Sequence, residues 1–141
     1  MNDATRSVPL SRVEIGQLLA IAERDLEQSR MLSLHLDTRY SVAYNAALQL
    51  ATAILRLHSV RIRKTGFHQH TFAELKARLP ESMRGFADYF DRVRRKRNIA
   101  TYDQANVVSE GEVADLIQQV EVFHAWVVEE MGQHRFDTVA G

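Results

Sequence analysis

The sequence predicts an all-α fold, an up-and-down bundle of four longer helices plus one short helix. Three observations predict it. Three Ser/Thr-x-x-Glu capping boxes, Ser11 with Glu14, Thr71 with Glu74 and Ser109 with Glu112, each precede apolar residues at helical spacing. No segment alternates polar and apolar residues between hairpin turns, so no strand is expected. The 141 residues include only two prolines and no linker-like or repeated tract, which fits a single domain over 1–141, with a core at about 11–131 and flexible ends.

Helix 1 follows Ser11, where Ile15, Leu18, Leu19, Ala22 and Leu26 recur at three and four and turn one stripe to a core. Helix 2, roughly 38 to 59, is apolar on most of its circumference, from Tyr40 through Ala43, Tyr44, Ala47 and Ala51 to Leu55, and is expected at the centre. A basic loop with Gly66 leads to a short helix 3, about 71 to 79, stopped by Pro80. Helix 4, about 82 to 102, gathers Phe86, Tyr89, Phe90 and Val93 on one face. The last helix, about 110 to 131, aligns Val113, Leu116, Ile117, Val120, Phe123, Val127 and Met131. Val122 and Trp126 widen its apolar sector, which fits either a helix wedged between two others or a self-association face.

Composition excludes several classes of function. Without cysteine there is no catalytic thiol, thiol redox switch or Cys-based zinc site. The longest uncharged run, Tyr40 to Leu55, is too short and too polar to span a bilayer, and the N-terminus has no apolar stretch resembling a secretory signal. A cytoplasmic protein without membrane contact is the expectation. No Gly-rich phosphate loop, Walker lysine or Gly-x-Ser-x-Gly elbow is present, and no cofactor is implied.

Eighteen Lys and Arg balance eighteen Asp and Glu, but unevenly along the chain. Residues 56–102 hold twelve cations against four acids, a net of +8, whereas residues 103–141 hold one cation against eight acids, a net of −7. Charge asymmetry of this kind points to anionic partners more than the total does. Arg61, Arg63 and Lys64 in the loop and Arg94, Arg95 and Arg97 on helix 4, with Phe67, Tyr89 and Tyr102 at hand, supply the cations and stacking surfaces of a nucleic-acid-binding patch. The acidic last helix supplies the other reading, in which it neutralises that patch.

Arg97 differs from its neighbours. It continues the stripe of Phe86, Phe90 and Val93, where an aliphatic residue is expected, and a guanidinium there needs a partner. Either a structural acid such as Asp37 or one of the last helix fills that role, or a ligand phosphate does. Asn98 and Tyr102, four apart, fall together on an adjacent strip of helix.

Here the sequence resembles the HEPN superfamily (higher eukaryotes and prokaryotes nucleotide-binding domain). The residues that carry the resemblance are Arg97-Asn98, three further residues and Tyr102 at the end of helix 4, the small-residue run Ser41 to Ala47, and the loop Gly66 to Thr71. It spans roughly residues 12 to 130. The resemblance implies a HEPN-like bundle, a homodimer and a composite site acting on RNA, with Arg97, Asn98 and Tyr102 at the catalytic positions. In ribonuclease members the last of these is histidine. A phenol titrates near 10, against about 6.5 for imidazole, so Tyr102 can donate a hydrogen bond but is a poor general base at neutral pH unless strongly perturbed. The expectation is therefore an RNA- or nucleotide-binding protein with weak or lost ribonuclease activity, in a bacterial toxin–antitoxin, stress or defence system. Some members are silenced when a partner nucleotidyltransferase modifies a tyrosine two residues beyond that histidine. Gln104 stands there, leaving Tyr102 as the analogous hydroxyl.

Other histidines carry less. His68 and His70 form a His-x-His pair without an identifiable third ligand, so no metal site is assigned, and a loop pinning the start of helix 3 is the preferred reading. His124 on the last helix reads as a hydrogen-bonded core or interface residue. A contrasting account of the whole chain is a non-catalytic homodimeric protein–protein interaction module, with Arg97 in an internal salt bridge.

Overall fold

The computed structural model describes residues 5–63 and 66–133. Five helices form the bundle: α1 (Arg12–Ser29), α2 (Leu36–Leu57), α3 (Phe67–Arg78), α4 (Arg84–Asn98) and α5 (Glu110–Gln133). A 3₁₀ turn, Glu81–Met83, precedes α4, and a π-helical turn, Ile99–Asp103, extends it. The all-α class is as expected, and α2 is the central helix, touching the other four. Its buried alanines, Ala43, Ala46, Ala47, Ala51 and Ala53, let α1 and α5 approach its backbone. Three phenylalanines from α3, α4 and α5, Phe72, Phe90 and Phe123, interlock beside it, with Phe90 and Phe123 edge to face at 5.4 Å. No helix among the described residues is long and apolar enough to cross a membrane.

The caps depart from the sequence in instructive ways. Ser109 and Glu112 form the complete box, the Glu112 amide donating to Ser109 Oγ at 3.1 Å and the Ser109 amide to Glu112 Oε1 at 3.0 Å. At α1 the Glu14 amide donates to Ser11 Oγ at 3.2 Å, but the Glu14 carboxylate is drawn away by Arg56 and Arg61. The expected box at Thr71 is wrong. α3 starts four residues earlier, and the Thr71 hydroxyl donates to Phe67 O at 2.5 Å inside the helix. Gly66 makes the earlier start feasible: its φ is +71°, and a Cβ there would lie 2.7 Å from the His70 ring, which packs against it. Pro80 ends α3 as expected, holding Leu79 in extended backbone.

The expectation of no strand also fails. Ser59, at φ 60°, turns the chain out of α2 into β2 (Val60–Ile62), which pairs antiparallel with β1 (Thr5–Ser7). Val60 and Ile62 are buried while Arg61 between them faces outward. Three residues cannot display a period of two, and the partner strand lies over fifty positions away rather than across a hairpin turn.

The sector of α5 expected to be wide is divided. Trp126 is half-buried and stacks on Phe123, whereas Val122 and Val128 remain exposed.

Candidate functional site

The residues that surround Arg97 come from a polar stripe on an otherwise apolar helix. Thr38, Ser41 and Asn45, spaced by three and four, lie along one face of α2 and line a cavity of about 480 Å³. Arg97, Ala100 and Thr101 close it from the end of α4 and the π turn, and Asp25 and Asp37 lie on its wall.

Arg97 Nε donates to Ser41 Oγ at 3.1 Å, and Nη1 to Asn98 Oδ1 at 3.3 Å. Its Cζ lies 5.5 Å from the centre of the Tyr44 ring and 5.9 Å from that of Tyr102, a cation between two aromatic rings. Neither expected acid meets it. Asp37 Oδ2 instead accepts from the Asn106 amide at 2.8 Å, and no ion pair among the described residues includes Arg97. A hydroxyl, an amide and ring faces hold the guanidinium in place without neutralising it.

Tyr102 meets Arg97 for a reason the spacing conceals. Counted on an α-helix, residues 97 and 102 point about 140° apart. The Gln104 amide, however, donates to Ile99 O at 2.9 Å, a bond across five residues that widens the helix by one residue and swings Tyr102 toward Arg97. The turn thus adds an Arg97–Tyr102 contact that α-helical spacing does not predict. Tyr102 is 73 % exposed and Asn98 half-buried.

The acid end of the cavity is ordered. Asp25, almost wholly buried, accepts from Arg24 Nη2 at 3.1 Å and from Asn45 Nδ2 at 2.6 Å. Asp37 Oδ1 is buried with no hydrogen-bond partner among the described residues. Behind Arg97, the buried Tyr44 hydroxyl and His68 Nδ1 are hydrogen-bonded at 2.8 Å. Burial raises the Tyr44 phenol well above its ordinary pKa. It lowers that of His68, with the Arg97 and Arg94 charges adding to the effect, so the imidazole is held neutral.

The remaining basic residues separate. Arg94 and Arg95 both pair with Asp91 of their own helix, at 2.8 and 2.9 Å. From the acidic last helix only Glu112 reaches the α4 cations in an ion pair, holding Lys96 at 3.3 Å. Arg61 and Arg63 lie at the ribbon, beside a different cavity, and Lys64 lies outside the described residues. His124 Nε2 and Glu23 Oε2 lie 2.9 Å apart, joining α5 to α1. Among the described residues no three His, Asp or Glu side chains gather as a metal site.

Sequence reasoning missed Ser41 and Tyr44 as Arg97's seat and Asn45 as part of the cavity wall, although the Thr38–Ser41–Asn45 stripe on a helix otherwise fit for burial was a readable signal. It also missed the Tyr44–His68 pair, which nothing short of the fold reveals.

A helical bundle with an Arg-Asn helix end seated against a small-residue central helix is a domain of the HEPN class. The sequence profile of the SAV_6107-like HEPN family matches residues 33–128, and the chain belongs to that family. The matched segment runs from α2 into α5 and contains Ser41, Tyr44, His68 and Arg97, leaving β1 and α1 outside it. No curated protein and no solved structure matches the chain. Membership gives it the nucleotide- and RNA-related function of HEPN domains in general, which commonly dimerise and bind nucleotides.

Proposed function

We propose that the chain binds RNA or a nucleotide with a phosphate on Arg97, in the cavity beside α2, and that it cleaves RNA weakly or not at all. One observation carries this reading: a half-buried guanidinium, fixed by Ser41 and the Tyr44 ring and without a carboxylate partner among the described residues, faces a cavity of nucleotide size. Asp25, Asn45 and the hydroxyls of Thr38 and Ser41 offer a polar wall for a ribose or base. Tyr102, exposed on the other side of the guanidinium, supplies a donor where ribonuclease members carry a base. A homodimer fits the exposed Ile99 and Tyr102 at the site and the exposed Val122 and Val128 of α5. A toxin–antitoxin, stress or defence role in a bacterium, with a nucleotidyltransferase-like or other protein partner, follows from the family resemblance.

The test compares wild type and Arg97→Ala for binding of AMP and of a short single-stranded RNA at several salt concentrations, with circular dichroism to confirm folding. Affinity that falls with salt and drops at least tenfold in the variant is expected. Unchanged binding in the folded variant sinks the reading. An unfolded variant, with no RNA bound by wild type, favours the interaction-module account. Single-turnover RNA cleavage by both proteins then decides the catalytic question: a wild type that cleaves rapidly, by way of Arg97, contradicts the weak-nuclease part.

A further inference from the structure

The β1–β2 ribbon gathers positive charge in a way that its own stability does not favour. In the antiparallel register Arg6 stands directly opposite Arg61, and like charges in that position repel. Arg63, two residues beyond Arg61, continues the same outward side. Only Arg61 has an acid, Glu14 at 2.6 Å, and that carboxylate already serves Arg56. Arg6 and Arg63 are exposed and have no carboxylate partner among the described residues. The three arginines, with Ile62 and the half-buried Phe67, line a cavity of about 600 Å³.

A chain of ring contacts also links the ribbon's cavity to Arg97. The guanidinium of Arg97 lies 5.5 Å from the Tyr44 ring, which lies 5.8 Å from the His68 ring, which lies 5.7 Å from the Phe67 ring. Three such steps are an upper limit on the straight line from the Arg97 guanidinium to the Phe67 ring, which about five phosphate intervals of a stacked strand, at about 3.4 Å each, cover; because the Tyr44 ring between them is buried, a bound strand runs around it and not along these contacts.

We propose that the ribbon is a second phosphate-binding site, which seats the backbone of a single-stranded RNA whose other end occupies the Arg97 cavity. The proposal rests on the nucleotide reading of that cavity. It makes the ligand a strand of about six nucleotides or more, with Arg6 and Arg63 as its distal contacts and Phe67 available to a base.

The experiment measures binding of AMP and of oligoadenylates of two, four, six, eight and twelve nucleotides by wild type, Arg97→Ala and the double variant Arg6→Ala with Arg63→Ala. Wild-type affinity is expected to climb at least tenfold between the dinucleotide and the octanucleotide. The double variant should lose that climb, keep its AMP affinity, and show a log–log salt slope for the octamer shallower by about 1.4, the share of two phosphates. A double variant with wild-type length dependence overturns the proposal, as does an octamer bound no better than AMP. Inorganic tripolyphosphate competing as well as the octamer assigns the ribbon to free polyanions and also overturns it. The two readings fail separately: unchanged AMP binding in Arg97→Ala sinks the cavity reading, whereas the ribbon is judged by the double variant. A wild type that binds none of these probes overturns both.

Discussion

Arg56 and Arg97 are both guanidiniums set against the same core, and the fold treats them in opposite ways. Arg56, only 2 % exposed near the end of α2, pairs with Glu14 of α1, donates to Pro9 O at 2.7 Å, and reaches Val60 O of β2 at 3.5 Å. Its donors are used to tie three segments together. Arg97 has a hydroxyl, a neighbouring amide and two rings, and no ion pair among the described residues. Burial alone therefore does not separate an arginine that the fold pairs with an acid from one that it holds without one. The number and kind of acceptors that the protein itself supplies does.

The contrast can be broken most forcefully at Arg56. Arg56→Ala leaves Glu14 with Arg61 alone and takes away the donor that reaches Pro9 O and Val60 O, and is expected to cost about 3–5 kcal/mol in urea unfolding. A loss below about 1 kcal/mol would remove its structural role. Arg97→Ala should show the reverse, a stability change of about 1 kcal/mol or less in the same measurement with the tenfold loss of nucleotide affinity described above. If Arg97→Ala proved as destabilising as Arg56→Ala, the two arginines would belong to one class.

A subtler difference is read at His68. Its folded pKa is lowered, chiefly by burial and then by Arg97 and Arg94. The unfolded chain therefore binds that proton more tightly. The stability this group contributes is complete above the ordinary histidine value of about 6.5 and is lost as pH falls from there through the folded value. The melting temperature should drop across that window more in wild type than in His68→Gln. In NMR titration Arg97→Ala should move the His68 midpoint part of the way back up, because burial, the larger cause, remains. An unmoved midpoint would show that the Arg97 charge is not felt there. The smallest effect belongs to Tyr102→Ala, which should change stability by no more than about 0.5 kcal/mol, since the ring is 73 % exposed. A larger loss in thermal melts would mean that the ring supports the helix end rather than a ligand.

What was legible in the sequence follows the range of the interactions involved. The central position of α2, the stop at Pro80 and the stripe that ends in Arg97 are short-range patterns, and they were readable. Arg56 was not, because its partners Glu14 and Pro9 lie over forty residues away. The start of α3 was misplaced because the Thr71–Glu74 spacing fits a cap equally well inside a helix, where the hydroxyl simply turns back to Phe67 O. Cations that look alike in a row, Arg94 to Arg97, were separated only by the placement of Asp91 and Glu112. Arg6, which faces Arg61 through strand pairing, had no signal at all in its own neighbourhood.

The widened turn at Ile99–Asp103 changes what a spacing motif means. An interval of five positions between an arginine and a ring is a distance along the chain, and it becomes a contact only when the helix holds an extra residue in that turn. Relaxing that turn to ordinary pitch with its length unchanged would rotate Tyr102 away while the letters at both ends stayed the same. Two sequences with identical end residues can thus differ in whether the pair exists. In this chain the recognition signature is as much a property of local helical pitch as of the side chains that spell it.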